Sequence, residues 1–152
     1  MDIARCLDTI DRLCLRPFPA EHGWTDVGRA GPGYFMAELR ARGAGDTGEG
    51  EEREAAARES TAEDVGAHRE AVAERLHRRW GPVPPWGMLT LRERGLRGEE
   101  IPEPWASLSH LTDQVYVWQA DRTGRWVALG LADRDPSDAI RLLAVITDTD
   151  PP

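Results

Sequence analysis

Apolar and polar residues alternate most regularly over Gln114–Leu131, where Gln-Val-Tyr-Val-Trp-Gln and Trp-Val-Ala-Leu-Gly-Leu flank Asp121-Arg122-Thr123-Gly124. Side chains on a strand repeat every two residues, so both runs predict strands. Asp121 suits the first position of a type I turn, and Gly124 accepts the positive φ that closes a three-residue hairpin loop. With Asp121 facing Arg125, Trp118 pairs with Ala128, Val117 with Leu129, Tyr116 with Gly130 and Val115 with Leu131. One face then carries Val115, Val117, Val127, Leu129 and Leu131. The other carries Tyr116, Trp118 and Trp126 among Ala120, Ala128 and Gly130. A sheet built on this hairpin is apolar on both sides.

Elsewhere the period changes. Ile3, Cys6, Leu7, Ile10, Leu13 and Cys14 recur at helical spacing and predict an amphipathic helix over Asp2–Leu15, with Asp2 as N-cap. Pro17 and Pro19 end it. The run to Gly33 reads as loop, with a short extended piece around Trp24–Val27, and Tyr34–Leu39 reads as a short helix in preference to a strand. Residues 43–59 lack any large apolar side chain and predict a flexible acidic linker within a single domain spanning 1–152. Ser60-Thr-Ala-Glu63 is a capping box that predicts a helix to about Trp80, its stripe formed by Val65, Val72, Leu76 and Trp80. Trp86–Leu91 predicts a strand and Arg92–Pro104 a loop. Trp105–Leu111 is ambiguous between strand and helix, and Ile140–Thr147 predicts the last strand. Helices precede strands without βαβ alternation. The expected fold is α+β, with two or three helices on one face of a mostly antiparallel sheet of about four strands.

A length of 152 residues suits one core. No apolar run is long enough for a membrane span, and the acidic amino terminus does not fit a secretory signal, so a cytoplasmic location is expected. Cys6 and Cys14 sit eight residues apart on one predicted helix, beyond disulfide reach, and read as reduced core thiols. All 19 basic residues are arginine, against 27 acidic ones, for a net charge of −8. That balance argues against a nucleic-acid backbone as partner and permits a basic protein.

Candidate chemistry is thin. Glu74-x-x-His77 has the spacing of half a di-metal carboxylate site, but no second pair exists, and His68 and His77 fall on opposite sides of their helix. Asp133-x-Asp135-x-Ser137-Asp138 lacks the glycine and the distal glutamate of a calcium loop. No Gly-x-Ser-x-Gly or Ser-x-x-Lys occurs, and Gly28-x-x-Gly31-x-Gly33 follows no clear strand. No catalytic residue, cofactor or metal is therefore expected, and the chain leans away from enzymes.

Six tryptophans stand above this background. Large aromatics with one polar handle serve both cores and recognition surfaces, so Tyr116, Trp118, Trp126, Trp86 and Trp105 are the candidate binding residues. Together with the acidity they predict an aromatic-rich, protein-binding domain of bacterial style. Its most concrete form is an immunity-type or antitoxin-type inhibitor of a basic partner. The alternative is a small-molecule-binding or small enzymatic domain with a pocket between helices and sheet. Trp118 and Trp126 would then be walls, with His110, Glu103 or Asp113 as acid–base groups. A homodimer formed through a strand edge or the aromatic face is a third reading. The sequence predicts no membrane or nucleic-acid partner.

Overall fold

The apolar run ending at Ile146 becomes strand β7 (Arg141–Thr147), whose residues Leu142–Thr147 are all buried. A strand covered on both faces needs apolar side chains at consecutive positions, and alternation disappears from its sequence. The computed structural model describes residues 3–41 and 51–152. Before β7 come α1 (Ile3–Leu15), β1 (Gly23–Trp24), β2 (Gly28–Gly31), β3 (Tyr34–Ala41), α2 (Glu51–Trp80), β4 (Trp86–Gly87), α3 (Leu89–Leu96), α4 (Trp105–Leu111), β5 (Gln114–Gln119) and β6 (Trp126–Ala132). All neighbouring strands pair antiparallel, in the order β1-β2-β3-β7-β6-β5-β4.

The α+β class holds, but the described sheet has seven strands where about four were expected. Helices also cover both faces. On one, Ile10 and Leu13 of α1 and Val65, Val72 and Leu76 of α2 pack against Phe35, Trp118, Val127, Leu129, Leu142 and Ile146. On the other, Met88, Leu91, Trp105 and Leu108, from α3, α4 and the residue before α3, pack against Met36, Val115, Ala128, Leu143 and Val145.

Three local readings are decided by one physical cause, burial from two sides or from a third layer, and the start of α2 is a further change. Tyr34–Ala41 is strand β3 and not a helix, because Tyr34 and Met36 enter one core while Phe35 and Ala37 enter the other. Of Trp86–Leu91 only Trp86–Gly87 is strand; Met88 and Leu91 are buried three residues apart, a helical spacing, and begin α3. Trp105, Leu108 and Ser109 likewise turn one side of α4 inward. Helix α2 starts at Glu51, so the Ser60–Glu63 box lies within it, and residues 51–59 of the expected linker are helical. Its remainder from 43 to 50, and the Asp2 cap, lie outside the described residues. The stop is as expected: Gly81, at φ 99°, donates its N–H to the His77 carbonyl.

The hairpin forms, but one residue out of the expected register. Ala120 donates to the Arg125 carbonyl at 2.8 Å, and Gly124, at φ 69°, donates to the Ala120 carbonyl at 3.0 Å. The loop is thus Asp121–Gly124, four residues long. Val115 pairs with Gly130, Tyr116 with Leu129, Val117 with Ala128 and Trp118 with Val127. Adding one residue to the loop exchanges the faces of one strand relative to the other. Tyr116 and Trp118 therefore share a face with Val127, Leu129 and Leu131, while Trp126 lies with Val115 and Val117 on the opposite side.

At the β1–β2 turn, Gly28 has φ 144°, and a Cβ there would stand 2.4 Å from the Met36 carbonyl oxygen. We expect Gly28→Ala to cost about 1–3 kcal/mol through backbone displacement. Gly87→Ala, with open space around its Cβ position, should be close to neutral. Urea unfolding of both variants at an unchanged denaturant slope tests the contrast.

Candidate functional site

The five aromatics nominated by the sequence do not form one surface. Trp118 is 1% exposed beneath the C-terminal end of α2, where its indole N–H donates to the Gly81 carbonyl at 3.1 Å and to His77 Nδ1 at 3.3 Å. His77 Nδ1 also accepts from the Val83 N–H, so the proton of the neutral ring sits on Nε2. Half-buried Tyr116 stacks edge-on to His77 and donates its hydroxyl to the Glu70 carboxylate at 3.0 Å. Burial, reinforced by that acceptor, holds the phenol above its ordinary pKa. Tyr116 also borders a shallow, open depression with Arg69, Pro85, Gln114 and Val115, of about 170 Å³ including open solvent.

Across the sheet, Trp105 is fully buried and donates its indole N–H to the Thr149 carbonyl at 3.0 Å. Trp126 donates to the Asp150 carboxylate at 3.0 Å, and Trp86 packs against Trp105 with ring centroids 5.8 Å apart. The end of the chain thus covers this aromatic set, as α2 covers Tyr116 and Trp118. Trp118 and Trp126, on opposite faces of one sheet, are not facing walls of a single pocket.

The acid–base candidates are scattered. Glu103 accepts from the Ser107 N–H at the start of α4, Asp113 is held by Arg92 and Arg134, and exposed His110 accepts from Arg134 through its carbonyl. Glu74 pairs with Arg78 at 2.6 Å, while His77 faces Trp118. Among the described residues no three His, Cys, Asp or Glu side chains converge as a metal-holding group. No described helix is long and apolar enough to cross a membrane.

The outer surface carries what the sequence reading missed. Among the described residues four large apolar side chains are exposed, and they fall into two pairs. Leu89 (57% exposed) and Leu96 (86%) lie on α3 with Glu93 between them, at i, i+4 and i+7, on the side of the helix away from Leu91. Glu93 and Glu100 make no ion pair among the described residues, unlike Glu99, whose carboxylate Arg94 grips at 2.6 and 2.8 Å. The seven-residue spacing of Leu89 and Leu96 is visible in the sequence, but reading Trp86–Leu91 as strand hid it. The second pair is Leu15 (76%) and Trp24 (73%). Trp24 stands on the edge strand β1 and Leu15 at the end of α1, where the Arg16–Asp26 ion pair at 2.8 Å ties the helix to the β1–β2 turn.

No protein-family model, no curated protein and no solved structure matches the chain.

Cys6 and Cys14 are buried on the inner side of α1 as thiols, without a disulfide. Burial, with Asp11 adding to it and Arg125 and Arg79 opposing it, pushes the Cys14 thiol up to about 11. It is protonated and unreactive at neutral pH. A folded-state pKa above the unfolded value means that the folded chain holds this proton more tightly. The associated stability is complete below the unfolded pKa and is lost as pH rises to about 11. Unfolding measured across that alkaline range should show the decline, and Cys14→Ala should reduce it. A thiol reagent at pH about 8 should label Cys14 only after denaturation.

Proposed function

We propose that this chain is a non-catalytic protein-binding domain whose partner is basic. The observation that carries the reading is the outer side of α3, where exposed Leu89 and Leu96 flank Glu93, with unpaired Glu100 beyond the helix. The two leucines are about 10 Å apart along the axis, from a rise of ~1.5 Å per residue. That is the spacing of anchors used when one helix docks on another. Exposed apolar anchors on either side of Glu93, with Arg97 next to Leu96 and Glu100 beyond, match an amphipathic segment that offers a cation to Glu93, and the net charge of −8 would steer a basic partner inward over longer distances. The residues nominated from the sequence contribute differently: Trp105 and Trp118 hold the sheet under its helices, and Trp86, Tyr116 and Trp126 remain half-buried. An inhibitor of a basic toxin, of the immunity or antitoxin type, is the most concrete form of this reading.

The wild-type chain and the double variant Leu89→Ser, Leu96→Ser are to be compared as immobilised baits, with the affinity of each captured protein measured against salt. The wild type should retain a basic protein whose binding weakens as salt rises. The variant should lose about tenfold or more in affinity, with its stability within about 0.5 kcal/mol of wild type because both leucines are exposed. A partner that binds the variant equally well, or binds independently of salt, would overturn the reading.

A further inference from the structure

The free edge of the sheet at β1 differs from the edge at β4. Strand β4 is preceded by Pro84 and Pro85, which have no N–H to offer a neighbour, and is followed at once by α3. β1 has no such guard. Thr25 donates its N–H to the Gly28 carbonyl at 2.7 Å, so Thr25 and Gly28 form a hydrogen-bonded pair of the antiparallel ladder. The next pair, Trp24 and Arg29, is then a non-hydrogen-bonded one. The N–H and C=O of Trp24 consequently point away from β2, toward the open side, and no described residue bonds to either. The same residue has a 73% exposed side chain. Its indole N–H has no partner among the described residues, and neither does the exposed guanidinium of Arg29 across the strand pair.

We infer that this edge is a self-association surface, where a second copy of the chain adds its own β1 antiparallel about a two-fold axis through Trp24. The inference is independent of the reading of α3. An outward N–H and an outward C=O on one residue are self-complementary under such an axis. Each Trp24 donates to the other and accepts from it, which makes the contact isologous. Directly opposed residues project to the same face, so the two indoles meet as a cross-strand aromatic pair, with Arg29 of each copy next in the row. Gly23, with nothing within 4 Å of its Cβ position, leaves the neighbouring register unobstructed. Because β4 is guarded, the pairing closes at two copies instead of propagating into a fibre. The strand is only two residues long and each copy carries a net charge of −8, so the dimer is weak and tightens as salt screens the repulsion.

Sedimentation equilibrium of the full chain from micromolar to millimolar concentration, at low and high salt, tests this. The wild type should pass from monomer to dimer, with the dimer favoured by salt. Trp24→Ser should raise the dissociation constant about tenfold or more while leaving the circular dichroism spectrum unchanged. The Trp24 amide should gain hydrogen-exchange protection at high concentration. The α3 variant Leu89→Ser, Leu96→Ser should dimerise like wild type. A chain that stays monomeric throughout, a dimer indifferent to Trp24→Ser, or one abolished by the α3 variant would each overturn the proposal. The salt dependence is opposite in sign to that expected for a basic partner, so failure of one inference is distinguishable from failure of the other.

Discussion

Covering both faces of β7 and its neighbours β3 and β6 is the requirement on which the rest of the structure depends. Leu142, Ala144 and Ile146 enter one core and Leu143 and Val145 the other. Neither half of that apolar area is stable against water, so each needs its own helical layer. The two layers differ in kind. α1 and α2 are long amphipathic helices that present regular stripes. α3 and α4 are of eight and seven residues and supply few buried positions, so Met88 before α3 and the chain end after β7 complete that side.

Burial on this scale brings polar groups inside; the sheet ladders pair the backbone of the strands, and side chains close the helix ends. Arg125, at the hairpin, donates to the Leu13 and Arg16 carbonyls at 2.6 Å each and lies 3.9 Å over the Phe18 ring. It closes the C-terminal end of α1, where the helix dipole favours a cation. Arg92 does the same for α4 through the Ser109 and Thr112 carbonyls. Both fully buried tryptophan indoles find an acceptor, Trp118 at the end of α2 and Trp105 at Thr149. The aromatics that looked like a recognition set are thus largely structural: they join helix ends and the chain end to the sheet. Among the described residues, the outward side of α3 and the edge of β1 each bring exposed apolar area and unpaired polar groups together. One is helical and sets its leucines beside Glu93 and Arg97; the other offers backbone hydrogen bonds and a guanidinium.

What could be read from the chain was whatever a single element decides by itself. The stripe Cys6, Ile10, Leu13 and Cys14 makes a helix, Gly81 stops another, and the alternation around Asp121–Gly124 makes a hairpin, all by short-range spacing and turn chemistry. The α+β class followed from the order of these elements. Tertiary structure decided the rest, because the deciding partner is distant in sequence. Tyr34–Ala41 is a strand only because β2 and β7 lie on either side of it, and Leu89–Leu96 is a helix with one buried leucine because the sheet lies beneath Met88 and Leu91. The hairpin shows the boundary between the two. Its existence lay in its residues. Which face Trp126 shares depended on whether the loop closed at Asp121 or at Ala120, a choice stabilised by hydrogen bonding across the loop and by packing of the β5 and β6 side chains into separate cores. A side-chain period of two turns that single residue into opposite sides of the protein.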